Sequence, residues 1–550
     1  MSSGDEVALP SGRGSEFLKF SALFLGLAVA KLLLVADQHV SPLYWVHDDL
    51  LFVNWAVSIL EGQWLGPFQA PTLVKLPGYS FWIAGARWLG IPLLLSQQLV
   101  SLAVAYLVGV LALRWRVSAG GAAAASALYI FSPHTFSFVQ TRAVRDYLFG
   151  ELTTLVLVVA ALFLTTERRS GAYLWALFTA PLLAYYCTIR EEYYWIAPSI
   201  LAISLIDCYF SKTRAGLGRI HRTALWLIPC LAGVLTALSL LSHVNERYYG
   251  GSLHYVRESG SGFSRALNAF RLFSGMPERP YVPVSKEMLA QAAKVSPSFA
   301  IISDRVNEMI NSQYTNEGAL LFTEHGDVLA GSIPFVLLSA AAQFGKADSL
   351  PIHSEFFNSI ADEIEAACQQ GTASCHDKPN RYPSLTDVGF LRRFGRYLGL
   401  TMYQTLLVPT RVGEYYGDIQ MVPVYSWIVG DEYTPEIQAR VDEYIGFDGA
   451  RYLADNEDVR RIGMDPLFHY LFYGIYEHRL SDAKAPIRAI SSLEYLRRYP
   501  ELRGAGVPFA QHQLMYQGEP SNGVKPPYLA SVITPDHRLE TLRARVRDGL

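Results

Sequence analysis

Seven stretches of the chain are almost wholly apolar, and each approaches the roughly 20 residues that an α-helix needs to cross a bilayer. The first, FLKFSALFLGLAVAKLLLVA, covers residues 17–36. It could be a signal peptide, but it lacks a small-x-small cleavage site and further spans follow it. We therefore interpret it as an uncleaved anchor. The other predicted spans cover residues 93–113, 121–138, 147–166, 171–187, 191–209 and 224–243.

A shorter apolar stretch, residues 79–92, contains Arg87. We interpret it as an amphipathic helix on the membrane interface, because a charge within so short a segment argues against a span. With it excluded, one set of basic loop residues falls on a single side, as the positive-inside rule requires of cytoplasmic loops. These are Arg114, Arg116, Arg168, Arg169, Lys212, Arg214, Arg219 and Arg222. Lys31, near the other end of the first span, is expected to extend its ammonium group toward the interface.

The pattern predicts a mainly α, polytopic membrane protein of about seven spans with a large, mostly helical extracytoplasmic C-terminal region. Residues 1–16 are predicted to form a cytoplasmic tail, and residues 17–243 a transmembrane domain whose outer loop, 37–92, contains interfacial helices. Phe52, Trp55 and Ala56 are expected to anchor one of these helices at the membrane interface. Because the number of spans is odd, residues 244–430 and 431–550 are expected outside the cytoplasm. The last region carries an internal repeat. Its two copies are residues 450–479 and 493–518.

Composition changes this picture only slightly. Hydrophobic residues make up 51% of the chain and charged residues 17%, less than the roughly one quarter that soluble proteins carry. The net charge is -3 without a long basic run, so nucleic acid is not an expected partner. Cys368 and Cys375 lie in the polar stretch AACQQGTASCHD, where a short disulfide and two free thiols both fit. A zinc site would need more ligands than His376 supplies, and no metal site is predicted.

Ionisable residues cluster in three loops that are predicted on the extracytoplasmic side. The loops contribute Asp48, Asp49 and Lys75; Arg142, Arg145 and Asp146; and Arg190, Glu191 and Glu192. Carboxylates near guanidinium groups suit a reaction that deprotonates one substrate while stabilising phosphate on the other. Solvated interfacial groups that pair with one another are the alternative, including a local salt bridge at Arg190. Three clusters on one face favour the functional interpretation.

Two further polar regions are open to two interpretations. Glu324, His325 and Asp327 in FTEHGDV could line an acceptor site, although an ordinary polar surface loop is the simpler explanation. The aromatic residues of the C-terminal repeat fit a helical core, with glycan docking as the alternative.

In order and sidedness, these motifs resemble those of the polytopic GT-C glycosyltransferases, such as the protein O-mannosyltransferases and the aminoarabinose transferases of lipid A. DDLLFVNWA (48–56) fits the acidic motif of the family's first outer loop. LVKLPGYSFW resembles the lysine–proline motif that opens an interfacial helix. TRAVRDY and TIREEYYWIAPSIL resemble the second-loop arginine–acid motif and a later outer-loop arginine. The resemblance covers residues 17–243.

The resemblance implies an inverting transferase that moves a sugar from a polyprenyl phosphate to an envelope glycan, lipid or protein. Asp48 would be the base that deprotonates the acceptor hydroxyl, with Asp49 and Asp146 as supporting acids. The residues implied to bind the donor phosphate are Lys75, Arg142, Arg145 and Arg190. The candidates for the acceptor site are Glu191, Glu192, Glu324 and His325. Some family members bind a divalent cation and many do not, and the resemblance leaves this open.

The first copy of the repeat resembles a short helical module appended to bacterial polysaccharide-synthesis proteins. The expected location is therefore the bacterial inner membrane, as a multi-pass protein with the bilayer as its lipid partner. The rival hypothesis is a non-catalytic transporter or scaffold for lipid-linked glycans, or a subunit that has kept the fold and lost the activity. Transporters usually carry charge at mid-membrane and show repeats among their spans. Here the charges lie at the ends of the spans, which favours the enzyme.

Overall fold

The architecture is mainly helical. The structure, a computed structural model, describes residues 11–36, 38, 40, 49–136, 138–167, 169–210, 219–276, 282–311, 327–328, 330–379, 428–430 and 454–457. Within these ranges the one extended pairing is an isolated antiparallel bridge between Phe273 and Cys375. The chain divides into two compact units. The described residues of unit 1 fall within 11–40 and 76–241, and those of unit 2 fall within 49–75, 242–379, 428–430 and 454–457.

Unit 1 holds the long apolar helices together with several shorter ones. They are α1 (Ser11–Leu34), α3 (Gly78–Trp88), α4 (Leu93–Arg114), α5 (Ala119–Ile130), α6 (Arg145–Leu164), α7 (Arg169–Tyr186), α8 (Ala197–Phe210) and most of α9 (Arg219–Tyr249). Helix α2 (Asp49–Leu60) belongs to unit 2. Short 3₁₀ turns, Pro133–Phe136, Phe138–Thr141 and Glu191–Ile196, precede α6 and α8.

Four helices among the described residues are long and apolar enough to cross a membrane, which indicates a membrane protein. They are Gly14–Leu34, Leu93–Arg114, Arg145–Leu164 and Ile220–Tyr249. Three of the seven predicted spans correspond to shorter or less apolar helices, so the number seven is not confirmed. Helix α5 ends at Ile130, close to Pro133, and the residue before a proline disfavours helix. The predicted span 191–209 begins as a 3₁₀ turn and becomes α-helical only at Ala197.

The helices of unit 1 pack closely through small residues. The ring of Phe20 on α1 lies where a side chain at Gly109 of α4 would stand, and it stacks on Tyr106 at 5.3 Å between ring centroids. Ser126 of α5 donates a hydrogen bond to the carbonyl oxygen of Ala105 at 2.8 Å. Close approach of this kind is how helices pack where both surfaces are apolar.

Two arginines cap the C-terminal end of α6. Arg222 is fully buried, and its Nη2 donates to the carbonyl oxygens of Phe163 at 2.6 Å and Leu164 at 3.3 Å. Arg114 donates through Nη1 to the carbonyl oxygen of Leu162 at 2.8 Å. The last carbonyls of a helix have no partner within it, so these arginines supply the missing donors.

Unit 2 is built on shorter helices. They are α2, the last residues of α9, α10 (Gly262–Phe270), α11 (Lys286–Val295), α12 (Pro297–Met309), α13 (Ile333–Gln343) and α14 (Leu350–Gln369). Serine side chains accept a hydrogen bond from the first turn of four of these helices, which is the usual N-terminal cap. They are Ser261, Ser285, Ser296 and Ser349.

Of the two interpretations of the cysteine pair, the structure has the disulfide. Cys368 and Cys375 are bonded, with 5.6 Å between their Cα atoms. Cys368 lies in the last turn of α14, and the residues on either side of Cys375 pair with the segment that follows α10. His376 N donates to the carbonyl oxygen of Leu272 at 2.7 Å, and Ser274 N donates to that of Ser374 at 2.9 Å.

Helix α2 differs from its expected role as an interfacial helix anchored by Phe52, Trp55 and Ala56. All three side chains are buried within unit 2. Almost every residue of α2 is apolar, and a helix that is hydrophobic all round is usually covered by protein.

Candidate functional site

The N-terminal end of α6 carries a buried ion pair. Arg145 Nη1 donates to Glu191 Oε1 at 2.8 Å, and Arg145 Nη2 lies 2.7 Å from Glu191 Oε2. Nη1 also donates to the carbonyl oxygen of Ile189 at 3.1 Å. Both side chains are less than one tenth exposed. This bidentate geometry is the strongest form of an arginine–carboxylate pair, and it ties the segment after α7 to the start of α6.

The same carboxylate holds the start of α3. Glu191 Oε1 accepts a hydrogen bond from Leu76 N at 3.0 Å, while Gly78 N donates to the carbonyl oxygen of Thr188 at 2.8 Å. A Cβ atom at Gly78 would stand against the backbone of Thr188, so glycine is required in KLPGYS. Two hydrogen bonds from main-chain N–H groups therefore join LVKLPGYSFW of the first loop to TIREEYYW of the third loop.

Arg190 forms a second, more accessible cluster beside the first. Its Nη1 donates to Asp146 Oδ1 at 2.6 Å, and its Nε donates to Glu192 Oε2 at 3.1 Å. The guanidinium carbon lies 5.4 Å from the ring centroid of Phe149. The side chain of Arg190 is 27% exposed, against 53% for Asp146 and 46% for Glu192. We call Asp146, Arg190 and Glu192 the Arg190 cluster.

The charge of Arg190 is stabilised by its neighbours. Partial burial disfavours the charged guanidinium, but Asp146 and Glu192 outweigh that effect and raise its pKa. Arg190 therefore stays a permanent cation that carboxylate or phosphate oxygens can contact.

The structure thus brings together five of the predicted site residues around the first turn of α6. They are Arg145, Asp146, Arg190, Glu191 and Glu192. Arg142 lies half-buried in the loop just before them. Its phosphate-binding role and that of Arg145 stay predictions. In this structure the guanidinium of Arg145 contacts Glu191 and Ile189.

The remaining predicted residues belong to unit 2 or fall outside the described residues. Asp49 is the first residue of α2 and is buried in unit 2. Lys75, also of unit 2, is half-buried, with its Nζ 5.6 Å from the ring centroid of Phe52. Leu73, two residues earlier, has a left-handed backbone (φ 58°), and its carbonyl oxygen accepts from Val256 N at 2.8 Å. Asp48, Glu324 and His325 fall outside the described residues.

Asp327 is not the surface residue that a polar loop suggests. It is fully buried in unit 2, and its Oδ1 accepts a hydrogen bond from Lys286 N at 2.9 Å, at the first residue of α11. A carboxylate at a helix N-terminus stabilises the helix by accepting from its unpaired N–H groups and by opposing its dipole. Its evident role is therefore structural.

Lys31 also departs from expectation, because its ammonium group is covered by protein. It is 1% exposed, and its Nζ donates to the carbonyl oxygen and to Oγ1 of Thr135 at 2.9 and 3.0 Å. The ammonium nitrogen also lies 3.2 Å from the ring centroid of Phe136. The 3₁₀ turn after α5 thus supplies the contacts that water would supply to an extended lysine.

Glu151 is the polar residue that sequence reasoning missed. It is 1% exposed on the second turn of α6, and its Oε2 accepts a hydrogen bond from the hydroxyl of Tyr129 at 2.7 Å. The side chains of Tyr147 and Ser101 also lie beside its carboxylate. The available signal was the acid in YLFGELTTLV, because an ionisable residue within an apolar span is a functional candidate by default.

No metal centre is formed in the part of the chain that the structure describes, where no three His, Cys, Asp or Glu side chains converge. Comparisons with protein-family profiles, with curated proteins and with solved structures gave no match to this chain.

Proposed function

We propose that this protein is an integral-membrane inverting glycosyltransferase. It moves a sugar from a polyprenyl phosphate to an envelope glycan, lipid or protein on the extracytoplasmic face of a bacterial inner membrane. The observation that carries the proposal is the Arg190 cluster, a half-exposed arginine between two carboxylates at the N-terminal end of an apolar helix. The motif resemblance of residues 17–243 supports the reaction class.

A lipid phosphate suits this position for two reasons. Arginine presents a planar fork of N–H donors that matches phosphate oxygens. The N-terminal end of a long helix carries partial positive charge, which favours an anion there. In the proposal, the phosphate takes the place that Glu192 occupies on the guanidinium of Arg190. Asp146 stays in contact and holds the guanidinium in orientation, while Arg142 adds positive charge from the preceding loop.

The reaction needs a base as well as a phosphate site. A carboxylate removes the proton from the acceptor hydroxyl, whose oxygen then forms a bond to the anomeric carbon of the sugar. The bond from that carbon to the phosphate oxygen breaks, and both electrons leave with the polyprenyl phosphate. The resemblance assigns the base to Asp48 and its support to Asp49.

The disulfide of unit 2 supports the extracytoplasmic assignment of residues 244–430. Disulfides such as Cys368–Cys375 form and persist mainly outside the reducing cytoplasm. The distribution of basic residues between the predicted loops points the same way.

The decisive experiment measures polyprenyl phosphate released by the purified full-length protein. The substrates are decaprenyl phosphates carrying mannose, glucose or arabinose, with a membrane glycan extract as acceptor. We expect wild type to release decaprenyl phosphate from at least one of them, and Asp48→Asn to lower the rate at least about 100-fold, as loss of a general base typically does.

The matched control is Asp362→Asn, which removes an exposed carboxylate paired with Arg265 in unit 2. We expect it to retain the wild-type rate. An Asp48→Asn protein that is as active as wild type would remove Asp48 from the role of base. Absence of release from all three donors by wild type would contradict the proposed function.

One observation favours the second candidate, a transporter of lipid-linked glycans. Lys31 and Glu151 are ionisable side chains buried within helices long enough to span a membrane, as is common along transport paths. A transporter would move a lipid-linked glycan across liposome membranes and would release no decaprenyl phosphate.

A further inference from the structure

Several buried polar atoms of unit 1 have no hydrogen-bond partner among the described residues. Among them are Glu151 Oε1, Gln97 Oε1 and both amide atoms of Gln98. The hydroxyl of Tyr147 lies beside Ser101 and Glu151 without close hydrogen-bond geometry to either. All four side chains are at most 2% exposed. A buried polar atom without a partner costs about 1–3 kcal/mol, so several in one region need an explanation other than stability.

These atoms belong to one region. Tyr147 and Glu151 are one helical turn apart on α6, and Ser101 of α4 lies beside both side chains. Gln97 and Gln98 precede Ser101 by one turn and therefore lie on the same side of α4. We call Gln97, Gln98, Ser101, Tyr147 and Glu151 the Glu151 cluster.

Neighbouring residues contact the side chains of the Glu151 cluster and hold them in place. Tyr129 of α5 donates to Glu151 Oε2 at 2.7 Å, and Gln97 Nε2 donates to the hydroxyl of Tyr79 at 3.2 Å. The ring of His134 stacks on that of Tyr147 at 5.3 Å between centroids. Glu151, Gln97 and Tyr147 are thus each held by a neighbour, while Glu151 Oε1, Gln97 Oε1 and the amide of Gln98 stay without a partner.

The chemistry of the unpartnered atoms selects the ligand. Both donors and acceptors are present, because each glutamine amide offers both whichever way it is oriented. A phosphate would meet the negative charge of Glu151, and a metal ion would find a single carboxylate with the ammonium of Lys31 nearby. An apolar lipid tail would leave every polar atom unpaired. Hydroxyl groups both donate and accept, so a neutral, hydroxyl-rich ring satisfies the whole set.

We propose that the Glu151 cluster binds the sugar ring of the lipid-linked donor. This inference rests on the proposed function, since it takes the sugar to be carried on a polyprenyl phosphate. It assigns sugar recognition to buried residues of α4 and α6, of which Tyr147 alone belongs to a motif, as the last residue of TRAVRDY. Tyr147 and Glu151 are then specificity residues, while the phosphate is bound by the Arg190 cluster.

The test compares the affinity of the purified full-length protein for decaprenyl phosphate with its affinity for the same lipid carrying mannose, glucose or arabinose. We expect wild type to bind at least one glycosylated lipid about 10-fold more tightly than the bare phosphate, which corresponds to one or two net hydrogen bonds. Tyr147→Phe and Glu151→Gln should each reduce this preference severalfold and leave the affinity for decaprenyl phosphate unchanged.

Tyr147→Phe keeps the buried ring and removes a single uncharged hydroxyl, whose neighbours are Ser101 and Glu151, so it should fold even if Glu151→Gln does not. Ser126→Ala is the matched control, since its buried hydroxyl already donates to the carbonyl oxygen of Ala105 and it should keep both affinities.

Equal affinity of wild type for bare and glycosylated lipids would overturn the sugar site and leave the phosphate site standing. An undiminished preference in Tyr147→Phe would also overturn it, since the cluster would then hold only water. If wild type bound none of the four lipids, the proposed function itself would fail.

Discussion

The two ends of α6 use polar side chains in different ways. At the C-terminal end, Arg114 and Arg222 donate to main-chain carbonyls that the helix itself leaves open. At the N-terminal end, Arg145 and Glu191 form a buried pair, and Arg190 forms a half-exposed cluster. One turn further in, Glu151 keeps an oxygen atom without a partner.

This difference separates charges that complete the fold from charges that are available to a ligand. At the C-terminal end both arginines satisfy backbone carbonyls, and Arg114 also donates to Thr166 Oγ1 at 2.7 Å, so those arginines need no other explanation. At the N-terminal end the Arg145–Glu191 pair plays the same structural part. The Arg190 and Glu151 clusters go beyond what the fold requires, and they are where we place phosphate and sugar.

The largest expected effect is the loss of the buried pair at the N-terminal end. Arg145→Met leaves the Glu191 carboxylate buried without its counter-ion, which typically costs 3–5 kcal/mol, so we expect a marked fall in the thermal unfolding midpoint in detergent. The double variant Arg145→Met/Glu191→Gln removes the charge and keeps an oxygen for Leu76 N. It should recover most of the loss, and a double variant as unstable as the single one would contradict the structural role of the pair.

Helix α6 shows how much of the fold and of the candidate site the sequence predicts. The sequence predicted a span at 147–166 with charges at its start, and α6 is Arg145–Leu164. It also placed Arg145, Asp146 and Arg190 in loops of one side. It could not show that Arg145 pairs with Glu191 while Arg190 pairs with Asp146, because the choice of partner depends on tertiary geometry that local spacing does not encode. Glu151 was overlooked for a similar reason, since one acid in an apolar run does not reveal its neighbours.

The second expected effect concerns a single buried polar side chain in unit 2, which contrasts with the clustered ones of unit 1. His353 is 1% exposed, neither ring nitrogen has a hydrogen-bond partner, and its ring contacts those of Phe68, Phe263 and Phe357. Burial lowers its pKa to about 4. Because its ring packs against three phenylalanine rings, this histidine should affect stability and not ligand binding.

The sign of the pH effect follows from proton uptake. As the pH falls from about 6.5 to about 4, His353 binds a proton in the unfolded chain but not in the folded protein. The free energy of unfolding therefore falls by about 3 kcal/mol. Above about pH 6.5 this loss of stability is absent, because His353 is neutral in both the folded and the unfolded chain. Thermal unfolding of His353→Phe between pH 7 and pH 4 should show a smaller decline than wild type. The exposed His376 provides the control, and His376→Phe should decline as wild type does.

A smaller effect is expected at the C-terminal end of α6. Arg222→Met keeps most of the apolar contact with Phe163 but leaves the carbonyl oxygens of Phe163 and Leu164 without this donor, at a cost of about 1–3 kcal/mol. Arg169→Met, at an exposed position at the start of α7, should change stability by less than about 0.5 kcal/mol. Neither variant should alter affinity for decaprenyl phosphate. A selective loss of that affinity in Arg222→Met would contradict the division between the two ends.

The smallest expected effect on stability, and the sharpest on binding, is at Arg190. Its pairs are partly exposed, so Arg190→Gln should cost less than about 1 kcal/mol. The same variant should lose most of the affinity for decaprenyl phosphate, and Arg190→Lys should be intermediate, because lysine keeps the charge and loses the bidentate fork.

Arg265 in unit 2 is a close control for Arg190, since it also contacts two carboxylates, Asp362 at 2.7 Å and Glu365 at 3.2 Å. Arg265→Gln should match Arg190→Gln in stability and wild type in binding. Arg190→Gln that binds decaprenyl phosphate as tightly as Arg265→Gln does would make the Arg190 cluster a surface ion pair. In that case both ends of α6 would serve the fold alone, because the charges at its N-terminal end would have no ligand.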